Sequence, residues 1–83
     1  MNKYYFTFGS AGQLYIGGWI IIHARDYAEA CHKFVAYYDK RSYVTSYKSG
    51  RLNFSFWYTE SDFLSTGMAE KGNAGAFCHD EIA

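Results

Sequence analysis

The stretch that decides the fold is DYAEACHKFVAYYD, residues 26–39, because it carries the clearest periodic pattern in the chain. Its apolar side chains recur three and four residues apart, the spacing that places them on one face of an α-helix. They are Tyr27, Ala30, Cys31, Phe34, Val35 and Tyr38. Asp26 is a favoured N-cap residue, and Glu29 three positions later completes a capping-box-like pattern. The stretch therefore predicts an amphipathic helix that ends near Asp39.

Two β-strands are predicted before this helix. KYYFTFGS, residues 3–10, alternates, so that Tyr4, Phe6 and Phe8 share one face while Tyr5 and Thr7 share the other. GWIIIHA, residues 18–24, is a nearly continuous β-branched run, which is typical of a central strand. The glycine-rich residues between them predict a long hairpin loop.

Two further strands and a short helix are predicted after it. SYVTSY, residues 42–47, and LNFSFWY, residues 52–58, are separated by the turn signal Ser49-Gly50. Alternation in the second strand places Leu52, Phe54, Phe56 and Tyr58 on one face and Trp57 on the other. TESDFLSTG, residues 59–67, has Thr59 as N-cap and Gly67 as its stop. AFCHDEI, residues 76–82, predicts one turn of helix or a short edge strand.

These elements predict one α+β domain over residues 1–83, in the order β-β-α-β-β-α. An antiparallel sheet of about four strands carries the main helix on one face. The opposite face then presents Tyr5, Thr7 and Trp57 without a cover. Because 22% of the residues are aromatic, one small core cannot hide all of their rings. We therefore expect that face to be a ligand platform or a contact between copies, in a homodimer or a higher homo-oligomer.

The composition favours a cytoplasmic protein. The N-terminus lacks the apolar segment and cleavage site of a secretory signal, and two cysteines without such a signal are typical of reduced thiols. The longest apolar run, Trp19–Ile22, is far shorter than the ~20 residues of a membrane span. The chain is accordingly predicted to have no membrane partner.

Charge is neutral overall but unevenly distributed. Residues 33–51 carry five basic side chains against Asp39, a net charge of +4, and residues 60–81 carry five acidic ones against Lys71, a net charge of −4. A neutral total disfavours broad nucleic-acid binding, which needs a basic footprint. The basic segment suits a small anion such as a phosphate. Solvated charge, or complementarity between subunits, would give the same pattern.

Two Cys-His pairs, Cys31-His32 and Cys78-His79, raise the possibility of metal or thiol chemistry. Adjacent side chains point in different directions, so a zinc ion shared among His23, Cys31, Cys78 and His79 has the wrong spacing. A nucleophilic Cys78 needs a lowered pKa, and the neighbouring acidic residues would raise it. Since no known catalytic motif is present either, we expect no enzyme activity, metal or cofactor.

A small nucleotide fits this composition better than the other ligands considered. It needs aromatic faces for its base and cations for its phosphates, and both interleave within residues 37–58. RNA is disfavoured because the sequence lacks the RNP signature that accompanies a base-stacking sheet. The predicted ligand-binding residues are Lys40, Arg41, Tyr43, Tyr47, Lys48, Arg51, Trp57 and His79. The same tyrosines could equally fill the core or an interface.

Three blocks carry a resemblance: YYFTFGS at residues 4–10, YTESDF at 58–63 and GNAGAFCHDEI at 72–82. They resemble recurring blocks of a family of small phage and prophage proteins of Gram-positive bacteria; KRSYVTSYKSGRL, residues 40–52, does not match. The resemblance implies a mobile-element origin and the cytoplasm of the host cell. By analogy it implies a host-defence antagonist, either a sponge for a cyclic nucleotide or ADP-ribose signal or an anti-CRISPR-type inhibitor of a host effector protein.

Overall fold

A four-stranded sheet with a helix on each face forms the described part of the protein. The computed structural model describes residues 1–38, 52–70 and 77–83. The elements in chain order are β1 (Asn2–Thr7), β2 (Trp19–Ala24), α1 (Tyr27–Tyr38), β3 (Phe56–Thr59), α2 (Glu60–Thr66), a 3₁₀ turn (Met68–Glu70) and β4 (Cys78–Ile82). The α+β class, the four strands and the main helix on one face are confirmed. Neither described helix is long and apolar enough to cross a bilayer.

The strands lie in the order β3-β1-β2-β4, which corrects the predicted topology. β1 is antiparallel to β2 and to β3, but β4 runs parallel to β2, so the sheet is mixed. The described elements follow the order β-β-α-β-α-β, because the tail supplies the fourth strand after α2. The predicted strand 42–47 lies outside the described residues. β2 has a neighbour on both sides, so its predicted central position is confirmed.

α1 begins as its sequence predicts. The backbone N–H of Glu29 donates to Oδ1 of Asp26 at 2.8 Å, the expected N-cap bond. Ala30, Phe34 and Tyr38 are buried against the sheet residues Phe6, Phe8, Ile20 and Ile22. Val35 remains 37% exposed, so the buried stripe is narrower than the sequence pattern. Phe34 is fully buried and therefore marks the centre of this core.

The second helix covers the opposite face of the sheet. The ring of Phe63 stacks on Tyr5 at 4.3 Å and contacts Trp19 at 5.0 Å between centroids, and both partners are buried. α2 is capped as predicted, since Thr59 Oγ1 accepts from the N–H of Asp62 and Gly67 ends the helix with φ of 71°. The expectation that this face lacks a cover is therefore wrong.

Trp57 lies on the α1 face, not on the opposite face as the alternation of residues 52–58 predicts. It is the cross-strand partner of Phe6, which belongs to the α1 core. Phe54 also packs on Phe6, with ring centroids 4.7 Å apart. In a regular strand Phe54 and Trp57 would lie on opposite faces. They share a face because the strand begins only at Phe56, after a bend at Ser55. The bend shifts the alternation by one residue.

Candidate functional site

Two of the eight predicted ligand-binding residues lie in the described part of the chain. Lys40, Arg41, Tyr43, Tyr47, Lys48 and Arg51 lie outside the described residues. Trp57 and His79 lie within them, on β3 and β4 respectively. The geometry of the candidate site is therefore built from the surroundings of these two side chains.

Trp57 forms an aromatic platform with Tyr27 of α1. Their rings stack with centroids 4.2 Å apart and planes 25° from parallel, and Tyr4 lies 6.0 Å from Trp57. The position on an edge strand leaves Trp57 41% exposed although it is held in place. The platform is fixed on one side and open to solvent over part of its surface.

A small cavity of about 330 Å³ adjoins this platform. Its lining residues are Tyr27, Cys31, Leu52 and Phe54. Burial raises the pKa of Tyr27 to about 12, with a further contribution from a hydrogen bond to the Cys31 thiol. The phenol is therefore neutral near pH 7, and the cavity has an uncharged, largely apolar wall. Such a wall suits the ring of a ligand and not its charged part.

His79 lies in an aromatic cluster at the other edge of the sheet. Its imidazole stacks on Tyr15 with centroids 4.6 Å apart and planes 8° from parallel, and it contacts Phe77 at 3.9 Å. Tyr15 has φ of 44°, a left-handed conformation that is costly for a bulky side chain. The loop around it is closed by hydrogen bonds such as Gly18 N to Tyr15 O at 2.9 Å. These contacts fix the orientation of the Tyr15 ring against His79.

Asp80 ties this cluster to the end of α1. The hydroxyl of Tyr38 donates to Oδ2 of Asp80 at 3.0 Å. Burial, together with this hydrogen bond, holds the pKa of Tyr38 far above its ordinary value. The Tyr38 hydroxyl is thus a donor that holds the Asp80 carboxylate at the end of α1.

The structure does not bring Trp57 and His79 together. They lie on the two edge strands, which are three strand spacings, roughly 14 Å, apart. Tyr38 and Leu52 are the described residues that flank positions 39–51. Tyr38, which precedes the segment, contacts Asp80, while Leu52, which follows it, lines the cavity beside Tyr27. A ligand held by both Trp57 and His79 would therefore have to extend along α1.

The two cysteines lie at different places in the fold, Cys31 on α1 and Cys78 on β4. Both Cys31 and Cys78 are free thiols. Desolvation raises the pKa of Cys78, with smaller contributions from Glu81 and Asp80, so its thiolate is disfavoured. Across residues 1–38, 52–70 and 77–83, no three His, Cys, Asp or Glu side chains converge in a way that could hold a metal ion.

A cluster of charged residues on the α2 face was not predicted from the sequence. Lys3 and His23 are direct cross-strand partners on β1 and β2. Lys3 Nζ lies 3.4 Å from Glu60 Oε2, and His23 Nε2 lies 2.6 Å from Glu81 Oε2. The alternation of the two hairpin strands could have revealed that Lys3 and His23 are neighbours. The position of Glu81 could not be found in this way, because it depends on the parallel pairing of β4.

Comparison of the chain with protein-family models, with curated proteins and with solved structures finds no match.

Proposed function

We propose that the protein binds a small phosphorylated nucleotide without turning it over. The observation that carries the proposal is the partly exposed Trp57, stacked on Tyr27 beside an apolar cavity of about 330 Å³. Stacking of a base on an aromatic side chain contributes ~1–3 kcal/mol, and every base offers a π-face. The cavity is at the small end of the range for ligand pockets, which suits one ring of a ligand.

The phosphates of the ligand would be bound by the basic segment. Lys40, Arg41, Lys48 and Arg51 would supply charge-assisted hydrogen bonds, and Tyr43 or Tyr47 would add a second stacking surface. His79 would donate to a ribose or phosphate oxygen from the far end of the site. Support for this arrangement comes from the two described residues that flank positions 39–51: Tyr38 contacts Asp80, the neighbour of His79 in the chain, and Leu52 lines the cavity with Tyr27, on which Trp57 stacks.

The biological role we propose is sequestration of a nucleotide immune signal in the host cytoplasm by a phage-encoded protein. The resemblance of three sequence blocks to phage and prophage proteins supports this origin. Binding without catalysis is supported by the raised pKa of Cys78, since a nucleophilic thiol needs the opposite shift. A sponge requires tight binding, and nanomolar affinity corresponds to about −12 kcal/mol.

The test is a thermal-shift screen of the full chain against cyclic di- and trinucleotides and cyclic ADP-ribose isomers. A ligand at about a hundred times its dissociation constant should stabilise the fold by ~2.7 kcal/mol. Trp57→Ala should abolish or strongly reduce the shift. Phe56→Ala is the matched control, because Phe56 is the neighbouring exposed aromatic and points to the other face of β3.

Ligand recovered unmodified after denaturation would support binding without turnover, and recovered product would contradict it. If no member of the panel raises the melting temperature, the sequestration proposal fails. If a ligand binds equally well to the wild type and to Trp57→Ala, the proposed platform is wrong.

A second candidate is an anti-CRISPR-type inhibitor that binds a host effector protein. It is favoured by the exposure of neighbouring aromatics on an edge strand, 65% for Phe56 and 41% for Trp57, since aromatic side chains are enriched in protein interfaces. Acidic competition for a nucleic-acid groove is a weaker basis, because Glu81 is closely paired with His23 within the fold. Capture of one large host protein by the wild type, and its loss with Phe56→Ala, would favour this candidate.

A further inference from the structure

A cleft of about 570 Å³ lies at the end of the sheet where the charged cluster is found. Its lining includes Asn2, Lys3, Tyr4, His23, Glu60 and Ser61, contributed by β1, β2 and the start of α2. This volume is within the range of small-molecule sites, which combine a concave surface with a few convergent polar groups. The cleft shares Tyr4 with the surroundings of Trp57, but neither Trp57 nor Tyr27 lines it.

The two charges of the cleft are only loosely paired with each other. The 3.4 Å between Lys3 Nζ and Glu60 Oε2 exceeds the ~2.7–2.9 Å of a good charge-assisted hydrogen bond. The Lys3 side chain is 38% exposed and that of Glu60 is 49% exposed, so separating them costs little. An ammonium has three donors and a carboxylate has about four acceptor sites, which leaves both groups capacity for a ligand.

The second carboxylate of the charged cluster, Glu81, is paired with His23. His23 Nε2 binds Glu81 Oε2 at 2.6 Å, a much closer contact than the one between Lys3 and Glu60. Glu60 is therefore the near acidic partner of Lys3. The cleft thus presents one cation and one carboxylate side by side.

We propose that this cleft binds a small zwitterion, a molecule with one ammonium and one carboxylate group such as a free α-amino acid. A ligand of a single charge would meet one attractive and one repulsive group, because Lys3 and Glu60 are neighbours. A zwitterion satisfies both, with its carboxylate at Lys3 and its ammonium at Glu60. The hydroxyl of Ser61, which also lines the cleft, can donate to the ligand carboxylate.

The test is an amide NMR titration of the full chain with three probes. L-alanine carries both charges, N-acetyl-L-alanine lacks the ammonium, and L-alaninamide lacks the carboxylate. We expect L-alanine to shift the amide signals of Lys3, Glu60 and Ser61 with a dissociation constant of about 1 mM or below. Each analogue should bind at least about tenfold more weakly, the factor that one lost charged contact gives.

Variants show whether L-alanine binds at Lys3 and Glu60 or elsewhere on the protein. Lys3→Met and Glu60→Gln should each weaken L-alanine binding, while Glu70→Gln, on the 3₁₀ turn, should leave it unchanged. A dispersed amide spectrum identifies the variants that keep the fold. If Lys3→Met does not fold, Lys3→Gln is used in its place. Absence of shifts with L-alanine, equal binding of N-acetyl-L-alanine, or shifts confined to other residues would each overturn the proposal.

Discussion

The hydroxyl of Tyr38, the last residue of α1, donates a hydrogen bond of 3.0 Å to Oδ2 of Asp80 in β4. The bond links the end of the main helix to an edge strand that meets the sheet only at β2 among the described strands. Tyr38 is almost fully buried and the bond itself is part-buried, so it is only partly shielded from water. It stabilises both the core and the position of β4.

Removal of this hydroxyl should destabilise the fold measurably. Tyr38→Phe leaves the packing of the ring intact but deprives the Asp80 carboxylate of a donor, which should lower the free energy of unfolding by about 1–3 kcal/mol. Urea denaturation followed by fluorescence measures the change. Tyr37→Phe, at the exposed neighbouring position, should have almost no effect. Equal losses in the two variants would show that the bond is not significant.

The core prediction concerns Phe34. Phe34→Ala removes a fully buried ring and should lower the free energy of unfolding by about 3–5 kcal/mol, a large part of the stability of a small domain. Val35→Ala is the control, because Val35 is 37% exposed on the same helix. A loss in Val35→Ala as large as that in Phe34→Ala would mean that α1 presents a different face to the sheet.

Acid should weaken the start of α1 through Glu29. Its carboxylate accepts from the backbone N–H of Arg25 at 2.9 Å and from Arg25 Nε at 2.8 Å. These bonds, the backbone one first, lower the pKa of Glu29. A lowered pKa gives stability that is present above the ordinary Glu value of ~4.3 and lost as pH falls through the folded value.

Glu29→Gln should therefore lose less stability than the wild type between about pH 5 and pH 3. Chemical denaturation at a series of pH values measures this difference. Glu70→Gln is the control, since the Glu70 side chain has no hydrogen bond or ion pair to any residue that the structure describes. Parallel stability curves for the wild type and Glu29→Gln would contradict the role of the Arg25 bonds.

The end of α2 should depend on glycine. Gly67 has φ of 71°, where a side chain is strained, although a Cβ would meet no atom within 4 Å. Gly67→Ala should accordingly cost about 1 kcal/mol by strain alone, read from a melting curve. Gly9→Ala is the comparison, because its Cβ would make an ordinary 3.4 Å contact with Ser55 Oγ and its φ is not positive. An equal or larger cost at Gly9 would point to a cause other than strain.

The prediction of a homodimer now depends on a different surface from the one that the sequence indicates. α2 covers the face that the sequence predicted to be exposed, so the case for a homodimer now depends on edge strand β3, with Phe56 and Trp57 exposed and no charged residue in Phe56–Thr59. Edge strands that lack charges are prone to pair with another chain. Light scattering should give a mass above that of one chain at micromolar concentration, and Phe56→Lys should lower it. A monomer mass throughout would reject the prediction.

The features that the sequence predicts correctly are those that depend on residues close together in the chain. The caps of both helices, the buried position of Phe34 and the central place of Trp19–Ala24 each follow from residues close in the chain. The face of Trp57 could not be predicted, because the bend at Ser55 has no strong residue signal. The parallel pairing of β4 was also missed, since it depends on which strand leaves an edge free and not on residues 78–82 themselves.

The candidate site was less predictable than the fold for a related reason. Residue type alone predicts that Trp57 stacks on a ligand, and the helical pattern predicts that Tyr27 belongs to the core. Their contact joins β3 to α1, so it depends on register and helix placement together. The Lys3–Glu60 pair likewise requires the start of α2 to lie beside β1, which no periodic pattern encodes.

The pairing of β2 with β4 has a consequence during synthesis. The β1–β2 hairpin can form soon after both strands leave the ribosome, but β4 is made last, and Ile20 pairs with Asp80 only then. Until that moment the neutral run Trp19–Ile22 has one row of backbone groups without its native partner. A β-branched, uncharged segment in this state is prone to aggregate with other nascent chains. Aggregation of nascent chains before β4 is made would therefore lower the yield of folded protein, whatever the stability of the finished sheet.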